Sequence, residues 1–258
     1  MLRYSREYWT LPLNPVQEER LRDPRPSAKT LEKAKELRAK LRHSMDGVIS
    51  TSMRDKGLDY GINFGLTMEF IVRLAKELGE DGLLASYLLS RDVRELQLIG
   101  QQIYPASCLN FSIATALAER SMPNPELRDC LCKHLFDRNT MLPQYALAWL
   151  TQARYKDLST TAYTTLARHF TFGYKFAHKS WEQCLLRCAF KTLDEDATYM
   201  TSEQRAALLM LKRWGRSDKD IQAQILQAPE FVRWETSGSC LFGEYVDDIK
   251  SVSYTHLT

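Results

Sequence analysis

The chain has 258 residues, of which 44% are hydrophobic and 26% charged, and its formal net charge is +3. That balance excludes an intrinsically disordered chain and a membrane-embedded one, and the length allows one elongated domain or two compact ones.

Residues 1–26 read as an irregular extension, because Pro12, Pro15, Pro24 and Pro26 alternate with charges. Arg3, Arg6 and Glu7 flank Trp9 and the prolines interrupt the apolar residues, so no signal-peptide core forms and a cytoplasmic location is expected. Ser27 offers an N-cap to a helix whose apolar stripe is Leu31, Ala34, Leu37, Leu41 and Met45, ending at an Asp46-Gly47 turn. The same helix carries Lys29, Lys33, Lys35, Arg38, Lys40 and Arg42 against only Glu32 and Glu36, a positive solvent face.

Gly57, Gly61 and Gly65 then break the chain. Leu66, Phe70, Ile71, Leu74 and Leu78 recur at helical spacing up to Gly79, a C-terminal glycine. Leu83, Leu84, Tyr87 and Leu88 form a short apolar face, and Val93, Leu96, Ile99 and Ile103 a longer one that Pro105 ends. Leu96 to Ala118 holds no charged residue, yet Gln97, Gln101, Gln102, Pro105, Ser107 and Asn110 argue against a membrane span, where such groups would go unpaired.

Helical patterns continue over Leu109 to Arg120, Pro125 to Phe136, Leu142 to Gln152, Ser159 to Phe170, Trp181 to Leu193, Ser202 to Trp214 and Ile221 to Leu226. Ser180 with Gln183 and Thr201 with Gln204 have capping-box spacing, and Asn124 precedes Pro125 as an N-cap should. Successive helices on short turns, without a strand signal, predict an all-α fold of stacked antiparallel pairs, an α-α superhelix of the HEAT-like or armadillo kind, over residues 27–236. An irregular helical bundle is the structural alternative. Residues 237–251 form a C-terminal segment. Residues 252–258 resemble the translation of a transposon-derived sequencing adapter, and the natural C-terminus is expected to lie elsewhere.

Cys108, Cys130, Cys132, Cys184, Cys188 and Cys240 are too sparse for a disulfide framework and contain no C-x-x-C pair. Cys130, Cys132 and His134 cannot share one helix face, so free thiols are expected, with no metal and no cofactor.

Tyr60-Gly61-Ile62-Asn63-Phe64-Gly65, followed by Ile71-Val72-Arg73-Leu74-Ala75-Lys76 and Val93-Arg94-Glu95-Leu96, resembles the bacterial DNA alkylation repair enzymes, alkylpurine DNA glycosylases built from HEAT-like repeats. The likeness is clearest over residues 48–104 and weaker to about 226. It implies a concave basic face for duplex DNA and cleavage of the N-glycosidic bond beside an aspartate, whose fixed charge stabilises the cation developing on the sugar. Within Asp129-Cys130-Leu131-Cys132-Lys133-His134-Leu135-Phe136, Asp129 falls at the catalytic aspartate. The tryptophan of the family falls at Pro125, its backbone-binding arginine near Ser159 or Thr160 with Arg154 and Lys156 close by, and a later aromatic at Lys191. The resemblance thus implies a degenerate catalytic centre.

Phosphate binding needs several cations on one surface, with aromatics able to stack on bases. Lys29, Lys33 and Lys40 on the first helix, Arg154 and Lys156, and Lys175, Lys179, Arg187 and Lys191, clustered with His178 near Tyr174, Phe176 and Trp181, are the expected nucleic-acid contacts. A non-enzymatic scaffold that binds a protein partner is the competing expectation. No Ser-His-Asp set, phosphate-binding glycine loop or H-E-x-x-H motif points to another enzyme class.

Overall fold

Helix signals in the sequence become helices almost one for one in the computed structural model, which describes residues 26–58, 60–194 and 199–236. The extension but for Pro26, the segment 237–251, the adapter-like tail and Cys240 lie outside the described residues. The described residues form two compact units, one reaching to Asn139 and one starting at Thr140, so the expected repeat domain of 27–236 spans both.

In the first unit the helices are α1 (Ala28–His43), α2 (Gly47–Asp55), α3 (Met68–Leu78), α4 (Gly82–Leu89), α5 (Arg94–Ile103), α6 (Phe111–Ser121) and α7 (Pro125–His134). Ser27 caps α1 by accepting the Thr30 amide at 3.1 Å. Asp46, read from sequence as part of a turn, caps a further helix, accepting the Val48 and Ile49 amides at 2.9 and 3.0 Å. α3, α5 and α7 pack in succession, each on the next but one, while α4 lies against α5 and α1, and α6 against α7. Leu41, Ile71, Leu84, Leu88, Leu98 and Ile99 are fully buried between them. In the uncharged stretch Gln97 Nε2 donates to the Arg91 carbonyl at 2.7 Å and Gln101 Nε2 to Ser121 Oγ at 3.2 Å, while Gln101 Oε1 is buried without a hydrogen-bond partner. Among the described residues no helix is long and apolar enough to cross a membrane.

The second unit holds α8 (Leu142–Thr151), α9 (Ser159–Thr171), α10 (Lys179–Leu193), α11 (Ser202–Ser217), α12 (Lys219–Gln227) and α13 (Pro229–Thr236), with a 3-10 segment at Ala153–Leu158. Alternate helices again meet: α8 packs on α9 and α10, and α11 on α9, α10 and α12. The Thr201–Gln204 capping box forms in full. The Ser180–Gln183 box does not serve as the cap, because α10 starts earlier, with His178 at the N-cap and no side-chain hydrogen bond there.

No strand occurs among the described residues. One isolated parallel bridge joins Ile62 to Val93, with the Ile62 amide donating to the Asp92 carbonyl at 3.1 Å and the Arg94 amide to the Ile62 carbonyl at 2.9 Å.

Candidate nucleic-acid interface

The segment that carries the family likeness closes on itself in space. Residues 60–66 have no regular hydrogen-bonding pattern of their own, so their backbone groups need partners from elsewhere. The bridge to Val93 sets Arg94 and Glu95 beside them. Glu95 Oε2 accepts the Phe64 amide at 3.1 Å, and its Oε1 accepts the Leu66 amide at 3.3 Å. Arg94 Nη1 donates to the Leu66 carbonyl at 2.8 Å and to Glu95 at 3.0 Å. Arg94 also holds Glu126 of α7 bidentately, Nε at 2.8 Å and Nη2 at 2.5 Å. The Tyr60 hydroxyl donates to the same carboxylate at 2.6 Å.

Arg94 and Glu95 are 1% and 0% exposed. Burial alone would raise the Glu126 pKa, but the hydrogen bonds from Arg94 and Tyr60 outweigh it and hold the carboxyl below its usual range. Burial would likewise lower the Arg94 pKa, and Glu126 and Glu95 together raise it. Every strong donor and acceptor here points at protein, so the motif's chemistry is that of a clamp joining the lead-in, α5 and α7. Glu126 was not singled out in the sequence; its only local signal is an acid in the first turn of a helix, which commonly serves the helix dipole.

Asp129 lies on the exposed side of α7. Its side chain is 67% exposed and its recorded ion pair is with its neighbour Arg128, at 3.5 Å. A carboxylate so placed is screened by water, whereas stabilisation of a developing cation is strongest in a dry, preorganised site. Pro125 opens α7 as its first residue, where its missing N–H costs nothing.

The nine expected cationic contacts divide between the two units. Lys29, Lys33 and Lys40 share one side of α1, and Lys29 and Lys40 are exposed. Lys33 is tied by a 2.6 Å ion pair to Asp81, the aspartate that caps α4. In the second unit Arg154 and Lys156 lie exposed on the 3-10 segment, the Arg154 guanidinium 4.5 Å above the Tyr155 ring. Lys175 is exposed but paired with Asp218, the cap of α12, at 3.1 Å. Burial would raise the pKa of both capping aspartates, and the helix amides and partner lysine lower it in each case.

Lys179, Arg187 and Lys191 are all exposed on α10. Acids accompany them: burial and the charge of Asp218 raise the Glu182 pKa against the opposing pull of Lys179 and Lys175. At the far end Arg187, Phe190 and Lys191 line a surface cleft of about 440 Å³ with Asp194 and Glu230.

Of the aromatics expected to stack on bases, Phe176 is buried, while Tyr174 and Trp181 are partly exposed. Phe176 meets Phe170, Tyr174, Trp181 and Trp214 at centroid distances of 6.0, 5.3, 6.1 and 6.4 Å, mostly edge to face. Phe170 stacks flat on Trp214 at 4.6 Å. These rings pack the loop that leads into α10 against α9, α10 and α11. Five cysteines among the described residues are free thiols, and no group of three or more metal-ligating side chains occurs among those residues. Comparisons with protein-family models, with curated proteins and with solved structures find no match to this chain.

Proposed function

We propose that the chain is a duplex DNA-binding protein of the DNA alkylation repair type, in which HEAT-like stacked helix pairs hold the phosphate backbone through exposed cations. The observation that carries this reading is α10, where Lys179, Arg187 and Lys191 are exposed on a helix whose N-terminus lacks a side-chain cap. Cations along a helix and open amides at its start favour the same ligand, an anion such as phosphate. Exposed Lys29 and Lys40 on α1, and Arg154 and Lys156, offer further backbone contacts. The alternate-helix contacts within each unit support the repeat reading of the fold.

Binding rather than bond cleavage is the activity assigned. The exposure of Asp129 removes the dry setting that cleavage of a glycosidic bond would draw on. Fluorescence anisotropy with a labelled duplex, at stepped salt, tests the binding: log K should fall linearly with log[salt], by about 0.9 for each phosphate neutralised. Replacing Lys179, Arg187 and Lys191 together by Glu should abolish binding. Salt-insensitive or absent binding, or a protein partner that survives nuclease treatment in its place, overturns the proposal. Release of an alkylated purine from duplex DNA, lost in Asp129→Asn, would restore the enzymatic reading.

A further inference from the structure

α10 carries a second chemistry on the same surface. Cys184 and Cys188 are four residues apart, so their thiols meet across one helical turn, and both are half-buried rather than sealed in the core. Arg187 and Lys191 occupy the alternate positions of that patch and border the cleft lined by Asp194 and Glu230, in which Arg233 already holds Asp194 at 3.2 Å and Glu230 supplies the second carboxylate. A cysteine beside a cation, next to a cleft holding charges of both signs, fits a small thiol compound that itself carries carboxylates and an ammonium group.

We propose that Cys184 is a thiol-modification site that takes a zwitterionic low-molecular-weight disulfide of the glutathione type, with Arg187 and Lys191 receiving the carboxylates and Glu230 the ammonium. The ionised Cys184 sulfur attacks one sulfur of the disulfide. A mixed disulfide forms, the original sulfur–sulfur bond breaks, and the departing thiolate carries away the electron pair and takes a proton from water. Cys184 is thereby oxidised and one half of the small disulfide reduced.

Two features of the helix favour this outcome. Cys188 is the more deeply placed thiol and gives its one proton toward the Leu150 carbonyl at 3.9 Å, so it stays protonated, whereas Arg187 stands one turn from Cys184 and its charge favours the Cys184 thiolate. Cys184 is therefore the attacking sulfur. Helix geometry also preserves the adduct. Residues one turn apart keep their Cβ atoms about 5–6 Å apart, whereas a disulfide needs about 3.5–4.5 Å. Cys188, whose Sγ lies 3.9 Å from the Leu150 carbonyl, cannot displace the adduct without unwinding a turn of α10.

The test exposes the full chain to glutathione disulfide and maps the adduct by intact-mass and peptide mass spectrometry. The exposed Cys108 is the internal reference. One glutathionyl group should appear on Cys184 before Cys108, and Cys184→Ser should lose it while Cys108→Ser keeps it. Uncharged hydroxyethyl disulfide should show a smaller preference for Cys184, and Arg187→Ala with Lys191→Ala should erase the glutathione advantage. Thermal unfolding of Cys184→Ser confirms that the variant folds. Equal or slower reaction of Cys184 than of Cys108, or a Cys184–Cys188 disulfide as the product, overturns the proposal.

Discussion

Arg94 is the residue on which the first unit turns. A guanidinium 1% exposed is tolerable only because Glu126, Glu95 and the Leu66 carbonyl all receive it. Removing one member of a buried pair leaves the other charge uncompensated, at a typical cost of about 3–5 kcal/mol. Arg94→Met should therefore destabilise strongly, and urea denaturation should show the midpoint fall; a loss under about 1 kcal/mol would mean that water reaches the pair. Tyr60→Phe removes one donor and leaves Glu126 its arginine, so its cost should stay near 1–3 kcal/mol. The acid limb follows from the same carboxylate. Glu126 titrates lower in the folded chain than in the unfolded one, so its contribution is complete above the ordinary glutamate range and is lost as pH falls through the depressed folded value. Thermal scans from neutral to acid pH should show this decline in the native chain, and Glu126→Gln should flatten it.

At the level of the element, backbone conformation decides which substitutions the fold accepts. Gly65 has φ of 72°, and a Cβ there would overlap the Asp46 carbonyl oxygen and crowd the Ser50 amide. Gly65→Ala thus combines a left-handed conformation, costing about 1–3 kcal/mol, with a backbone clash that no rotamer relieves. Far-ultraviolet circular dichroism during denaturation should place it among the most damaging single changes. Thr201→Ala, which removes only one half of a capping box, should cost about 0.5–2 kcal/mol by the same measurement. These two sites also show what the sequence made legible. Thr201 and Gln204 could be read because both partners lie within one turn; Gly65 could be read as a break but not as a close approach to Asp46. The Asp46-Gly47 step reads as a turn in the sequence, and the structure instead makes Asp46 the cap of α2. Glu126 was hidden, since its partners stand 32 and 66 residues away. Phe176 was hidden for a related reason: residue type alone does not say whether a ring faces solvent or Trp214.

For the whole molecule, net charge of +3 is too small to drive nucleic-acid binding by itself, so affinity must come from where the cations sit. Capping aspartates hold Lys33 and Lys175, which should contribute less than their charge suggests, while Lys179, Arg187 and Lys191 share α10 with the two thiols. A glutathionyl group on Cys184 brings two carboxylates and one ammonium to that surface, a net negative charge between Arg187 and Lys191. If α10 faces phosphate, the modified protein should bind duplex DNA more weakly. Its salt slope should be shallower by about one unit, the effect of losing one phosphate contact. Reduction with excess dithiothreitol should restore both. The outcomes separate the two proposals: an adduct on Cys184 that leaves the salt slope unchanged keeps the thiol site and removes α10 from the DNA face. Salt-dependent binding with no adduct does the reverse. A Cys184→Ser protein that binds DNA normally and no longer responds to glutathione disulfide would join them, making the oxidation state of one cysteine a control on how tightly the helix beside it holds the backbone.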